Sequence, residues 1–176
     1  MKDLGNSEHI LGIRIRRDRQ KKLLFVSQEN YTEKVFQMTD AKQSSVPLQP
    51  EVKLSKAHYP KDKEETKTMQ AIPYASACGS LMYAMVSTRP DIVYAVGVVS
   101  RSMSQPGRNH WAAVKSILRY LNGNTEKCIC YGKAGLNLHS YCNSDLAGDI
   151  NTRKSTYSYI YILLHRELFC GVHSCN

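Results

Sequence analysis

No apolar run in this chain of 176 residues reaches the roughly 18 needed to cross a membrane as a helix, so a helical membrane span is excluded. The opening residues, MKDLGNSEHI, hold no apolar stretch of signal-peptide type. The expectation is therefore an intracellular protein, cytoplasmic or nuclear, that is not secreted. Also missing are a glycine-rich phosphate loop, a Gly-x-Ser-x-Gly elbow and a His-Glu-x-x-His helix. Their absence removes P-loop nucleotide chemistry, serine-hydrolase chemistry and zinc-protease chemistry. The six cysteines, at 78, 128, 130, 142, 170 and 175, lack any paired spacing, and reduced thiols are expected. Cys170-x-x-His173-x-Cys175, with Cys128 and Cys130 sharing a strand face, keeps a small zinc-binding protein as an alternative, but no metal site is assigned.

Acidic side chains are in short supply. Fifteen Asp and Glu face 24 Lys and Arg, for a net charge of +9. Such a balance suits a polyanionic partner, nucleic acid above all. The excess is also uneven. Between Leu11 and Lys22, Arg14, Arg16, Arg17, Arg19, Lys21 and Lys22 are opposed by Asp18 alone. Apolar residues make up 42%, enough for a core and against wholesale disorder.

Taken in order, Ile10 to Ile15 alternates apolar and basic residues as a strand does, Gln20 to Lys22 can turn, and Leu23 to Val26 can return as a hairpin. Ser27 is placed to cap a helix from Gln28 to Met38, with Tyr31, Val35 and Met38 on its apolar edge. Asp40 to Thr68, interrupted by three prolines and carrying a mixed charge run, reads as a solvated linker. Three helices follow between Pro73 and Gly123. The first presents Tyr74, Ala77, Cys78, Leu81, Met82, Met85 and Val86 on one face. Thr88 and Asp91 suggest a capping box with Pro90 in the first turn of the second helix, whose apolar side carries Ile92, Ala95, Val96, Val99 and Met103. The third sets Trp111, Val114, Ile117, Leu118 and Leu121 against Lys115 and Arg119, with His110 as a cap or packing residue and Gly123 as the C-terminal cap. Short β-prone pieces at 127–131, 136–142, 155–164 and 168–172 suggest an antiparallel meander. The fold class is α+β: an N-terminal β-hairpin plus helix, three helices, then antiparallel strands.

These pieces resemble, in order and spacing, the Pol polyprotein of copia-type long-terminal-repeat retrotransposons. The matching segments are MKDLG with HILGIRIRRDR, LFVSQENYTEKVF, SVPL, PYASACGSLMYAMVSTRPDIVYAVGVVSRSMS, PGRNHWAAVKSILRYLNG, SYCNSDLAGD and RKSTYSY. The resemblance implies that residues 1–48 are the end of the reverse transcriptase palm or thumb, 49–70 a linker, 71–125 a helical connection and 126–176 an incomplete domain of ribonuclease H type. It further implies magnesium or manganese chemistry, in which several carboxylates converge on two cations. The paired aspartates of the polymerase lie upstream of the MKDLG-like piece. In the ribonuclease H segment, Tyr141-Cys142-Asn143-Ser144-Asp145 stands where the family has Tyr-Thr-Asp-Ala-Asp, so that Asn143 occupies a metal-ligand position. An amide oxygen is a poor substitute for a carboxylate there. Asp145, on the same strand face, is the neighbouring acid, and Asp149 is expected in a loop role. The family's Lys-Ser-Thr-Ser-Gly-Tyr reads Lys154-Ser-Thr-Tyr157-Ser158-Tyr159 here, and the tail HRELFCGVHSCN departs from the pattern.

The expectation is a catalytically inactive Pol fragment, with no cofactor expected. It retains non-specific nucleic-acid binding through Arg14, Arg16, Arg17, Arg19, Lys115 and Arg119. The alternatives are a dedicated binder of RNA–DNA hybrid and an active nuclease.

Overall fold

The computed structural model describes residues 8–36, 42–132, 138–163 and 168–174. Its centre is helical. α3 (Tyr74–Ser87), α4 (Val93–Ser100) and α5 (Arg108–Asn122) enclose Leu81, Ile92, Val96, Val99, Val114, Ile117 and Leu121, none of which is more than 1% exposed. On α3 the buried stripe is Tyr74, Cys78, Leu81 and Ala84, with steps of four, three and three residues. That stripe leaves Val86 on the solvent side, 79% exposed, rather than on the expected apolar face. On α5 the core also takes Ala113, His110 and Tyr120, while Trp111 is only half-buried and packs at the edge against Tyr74. Gly123 is the C-cap of α5, as expected, in a right-handed conformation with φ −76°.

The join between α3 and α4 differs from the expected capping box. Pro90–Ile92 forms a 3₁₀ turn, and α4 begins only at Val93. Thr88 turns its hydroxyl to the Gln28 side-chain oxygen at 2.7 Å instead of capping the next helix. Asp91 faces Arg89, whose buried guanidinium requires a charged partner more strongly than a helix end requires a cap. Met103 lies beyond α4 and is 39% exposed.

The expected strand from Ile10 to Ile15 is two strands. β1 (His9–Ile10) and β2 (Ile13–Asp18) are joined by Leu11 and Gly12, at φ 51° and 79°, the paired left-handed values of a two-residue hairpin turn. The Tyr83 hydroxyl of α3 donates to the Leu11 carbonyl and ties this turn to the helical block. β3 (Leu23–Ser27) returns as anticipated, with Asp18 accepting from the Lys21 N–H at 3.0 Å in the turn. Ser27 completes that strand and is not a cap; α1 spans Glu29–Phe36, and the Gln28 carbonyl accepts from both the N–H and the hydroxyl of Thr32. Tyr31 of α1 packs on the core; the Val35 side chain and Met38 lie outside the described residues.

The stretch read as a solvated linker is structured over much of its length. Leu48 and Leu54 pack on the core, Lys56–His58 makes a 3₁₀ turn, and α2 spans Lys63–Gln70. The charge run supplies that helix with Glu64 and Glu65 in its first turn and Lys67 in its last, which suits the helix dipole, and Met69 is buried.

The strand Ile129–Tyr131 (β4) does not open the expected meander. It pairs with β3, Val26 opposite Ile129 and Leu24 opposite Tyr131, giving an antiparallel sheet of order β1-β2-β3-β4. The later strands, β5 (Leu138–Ser144), β6 (Thr156–Leu163) and β7 (Leu168–Ser174), form a second antiparallel sheet in sequence order. The fold is thus α+β. Among the described residues no helix is long and apolar enough to cross a membrane. Met1–Gly5, Leu136 and Cys175 lie outside the described residues.

Candidate nucleic-acid interface

The alternation of β2 divides the basic cluster. Arg14 and Arg16 share one sheet face with their opposite numbers Ser27 and Phe25, whereas Arg17, opposite Leu24, lies on the other face with Ile15 and Val26. Arg19 follows in the turn, and all four arginines are exposed. Arg14 makes an open ion pair with Glu29 at 3.7 Å. The Arg16 guanidinium lies over the Phe25 ring, 4.6 Å from its centroid. Neither Arg16 nor Arg17 forms an ion pair among the described residues. Lys115, half-buried, and Arg119, exposed, stand one turn apart on α5, a helix packed against α1, α3 and α4.

A second polar centre was not visible as such in the sequence. Arg89, 3% exposed, donates from Nε and Nη2 to the two Asp91 carboxylate oxygens at 3.0 and 2.8 Å, and from Nη1 to the Asn124 carbonyl at 2.8 Å. The Tyr120 hydroxyl donates to Asp91 at 2.7 Å, and Lys127 Nζ donates to Tyr120 at 3.0 Å. Burial alone would raise the Asp91 pKa, but the hydrogen bonds from Arg89 and Tyr120 and the charges of Arg89 and Lys127 hold it below the usual carboxylate range. With all three guanidinium nitrogens engaged, this centre ties α3 to the end of α5. The signal available in advance was Arg-Pro-Asp followed by Tyr120 and Lys127, which carries no fixed spacing.

Asn143 lies on β5 with its backbone opposite Ser158; its side chain lies outside the described residues. Asp145, just past the strand, accepts from the Thr156 N–H and donates its own N–H to the Thr156 carbonyl at 2.9 Å. Gly148 sits so close to that carboxylate that a Cβ would collide with it. Asp149 has the loop role expected of it. Its carboxylate accepts from the Asn151 N–H at 3.1 Å and the Thr152 hydroxyl, and it faces Arg101 at 3.7 Å. Burial would raise its pKa, but the Thr152 and Asn151 hydrogen bonds and the Arg101 charge bring it below the ordinary value. Arg101 also donates to the Thr156 hydroxyl at 3.3 Å, and Asn151 accepts from the Lys56 N–H at 3.0 Å, so the 145–156 loop is pinned to the helical block.

A pair of magnesium or manganese ions needs converging, available carboxylates. Asp145 accepts from the Thr156 N–H and Asp149 from Asn151 and Thr152 within the same loop, and among the described residues no three His, Cys, Asp or Glu groups converge. These residues do not fit a two-metal site. Of the positions weighed for zinc, Cys130 lies on β4 and Cys128 just before it, Cys170 and His173 lie on β7 with backbones opposite Ile160 and Tyr157, and Cys175 lies outside the described residues. Buried Cys78 has its thiol pKa pushed up by burial.

Alignment with known proteins places these elements in a class, the polyproteins of retroelements. Over 164 residues, 92% of its length, the chain is 52% identical to a retrovirus-related Pol polyprotein from transposon TNT 1-94 of Nicotiana tabacum, and spans 12% of that polyprotein. It is 44% identical over 96 residues, 54% of its length, to secreted RxLR effector protein 161 of Plasmopara viticola, covering 68% of it. Over its full length it is 34% identical to an uncharacterised mitochondrial protein of Arabidopsis thaliana, covering 67% of that protein. The chain belongs to the copia-type retrotransposon Pol family. No family model matches it, and no solved structure does.

Proposed function

We propose that the chain is a Pol fragment without nuclease activity that binds nucleic acid through the phosphate backbone. The observation that carries the binding is the exposure of Arg14, Arg16, Arg17 and Arg19 on one hairpin, two of them without a carboxylate partner among the described residues, in a chain of net charge +9. Guanidinium groups so placed meet phosphates without reading sequence, and binding follows counterion release. Support for inactivity comes from the engagement of Asp145 and Asp149 in loop hydrogen bonds and from asparagine at position 143. Lys115 and Arg119 supply a second, weaker contact zone on α5.

The test is binding of a duplex and an RNA–DNA hybrid across a salt series. Three to four phosphate contacts give a slope of about −3 in log K against log salt. Replacing Arg14, Arg16, Arg17 and Arg19 by glutamine should flatten it toward zero. A flat slope for the unaltered chain would refute the binding reading, and cleavage of the hybrid with magnesium or manganese would refute inactivity.

A further inference from the structure

We propose that the Arg16–Phe25 pair is a stacking platform for an unpaired nucleobase, so that the hairpin prefers single strands to duplex. The inference rests on the nucleic-acid reading above and adds to it the form of the nucleic acid. Arg16 and Phe25 are opposite one another across β2 and β3, and the guanidinium lies over the ring at 4.6 Å from its centroid. Arg16 is exposed and Phe25 half-buried, so the cation lies on the more accessible side of the pair. A guanidinium held over an aromatic ring offers a planar cation on which a base stacks, and the arrangement tolerates every base because each has a π-face.

The neighbours on that face sharpen the assignment. Arg14 is drawn to Glu29 at 3.7 Å, and Asp18 is engaged by the Lys21 N–H at 3.0 Å. Arg16 lies between them with no ion pair among the described residues. The face therefore offers one planar cation with an aromatic backing, flanked by a second arginine that can take a phosphate. In a duplex the bases are stacked on one another and only phosphates reach this surface; in a single strand one base can leave the stack and lie on Arg16. Arg17, on the opposite face, has leucine as its cross-strand partner and lacks such a backing.

The experiment compares a single-stranded oligothymidine, an abasic single strand of equal length and a duplex, at matched salt, with the full chain. Stacking of one base predicts binding of oligothymidine about ten-fold tighter than of the abasic strand. Arg16→Lys keeps the charge but removes the plane, and should bring the oligothymidine and abasic affinities together while leaving the salt slope in place. Phe25→Leu retains an apolar side chain in the sheet and should reduce the preference in the same direction. Arg17→Lys should leave the preference unchanged. Equal binding of abasic and base-bearing strands, or a preference that survives both Arg16→Lys and Phe25→Leu, would overturn the platform while leaving backbone binding intact. Absence of salt-dependent binding to all three probes would overturn both readings.

Discussion

Arg89 and Asp91 grip each other across Pro90 by two hydrogen bonds of 3.0 and 2.8 Å, and the pair occupies the point where α3, α4 and the end of α5 meet. Removing one partner leaves a nearly buried charge without its counterpart. Asp91→Ala should therefore lower stability by about 3 kcal/mol, and the melting temperature by about 6–12 °C for a chain of this size. Replacing both residues together, Arg89→Met with Asp91→Leu, should recover much of that loss. Thermal denaturation of the three variants decides this, and an equal loss in single and double variants would contradict it.

The same carboxylate sets an acid limit. The folded Asp91 pKa is depressed below the unfolded value, so its contribution is fully present above about pH 4. It is lost as the pH falls through the folded value. Urea midpoints taken below pH 4 should decline in the unaltered chain and decline less in Asp91→Asn.

His110 imposes a second dependence at milder pH. It is fully buried, and its Nδ1 accepts from the Gly107 N–H at 3.1 Å, so the proton of the neutral ring sits on Nε2, which has no partner among the described residues. The facing groups are His58, at 6.3 Å between ring centroids, and Tyr59 at 5.6 Å. Burial, with His58 adding to it, lowers the His110 pKa. A depressed histidine pKa means the unfolded chain takes up a proton first, so stability is full above about pH 6.5 and falls as the pH drops below it. His110→Asn, which keeps an acceptor near the Nδ1 position, should remove the part of this slope that His110 contributes. Urea denaturation between pH 5 and 7 tests it.

Gly107 is required by contact and not by backbone angle. A Cβ there would collide with the His58 carbonyl oxygen. Gly107→Ala should displace the 3₁₀ turn at Lys56–His58 from α5, at a cost of about 1–3 kcal/mol, with faster amide exchange in that turn than in α3. Unchanged exchange there would show that the turn is not held by this packing.

Leu11 is 83% exposed and holds a left-handed conformation that costs a leucine about 1 kcal/mol. Leu11→Asn, giving the Asn-Gly pair favoured in such turns, should stabilise the chain by about 0.5–1 kcal/mol without altering the sheet. A raised denaturation midpoint is the expected result.

The helical block was legible because its signal is local: periodic apolar residues at three- and four-residue steps placed α3, α4 and α5 in the sequence. The hairpin return and the later strands were legible for the same reason. What escaped depends on partners distant in sequence. Thr88 and Asp91 fit a local capping rule, but Gln28 and the buried Arg89 claimed them. The charge run at 61–67 lacks apolar periodicity, yet most of it is helical, with acidic residues in the first turn, Lys67 in the last and Met69 buried. The Arg16–Phe25 stack needs the β2–β3 register, which the sequence suggests only as a hairpin. Likewise, no spacing rule foretells that Asp145 and Asp149 are closed into loop hydrogen bonds.

The partnership of β3 with β4 bears on how the chain folds. Val26 and Ile129 are neighbours in space but about a hundred residues apart along the chain, with every helix between them. A contact of such long range forms late. The expected order is that the hairpin keeps one edge open until the helices have packed and delivered Ile129–Tyr131 to it. Until then the basic hairpin is the least finished part of the molecule, and a polyanion bound to its arginines would steady it before β4, the fourth strand of the sheet, arrives.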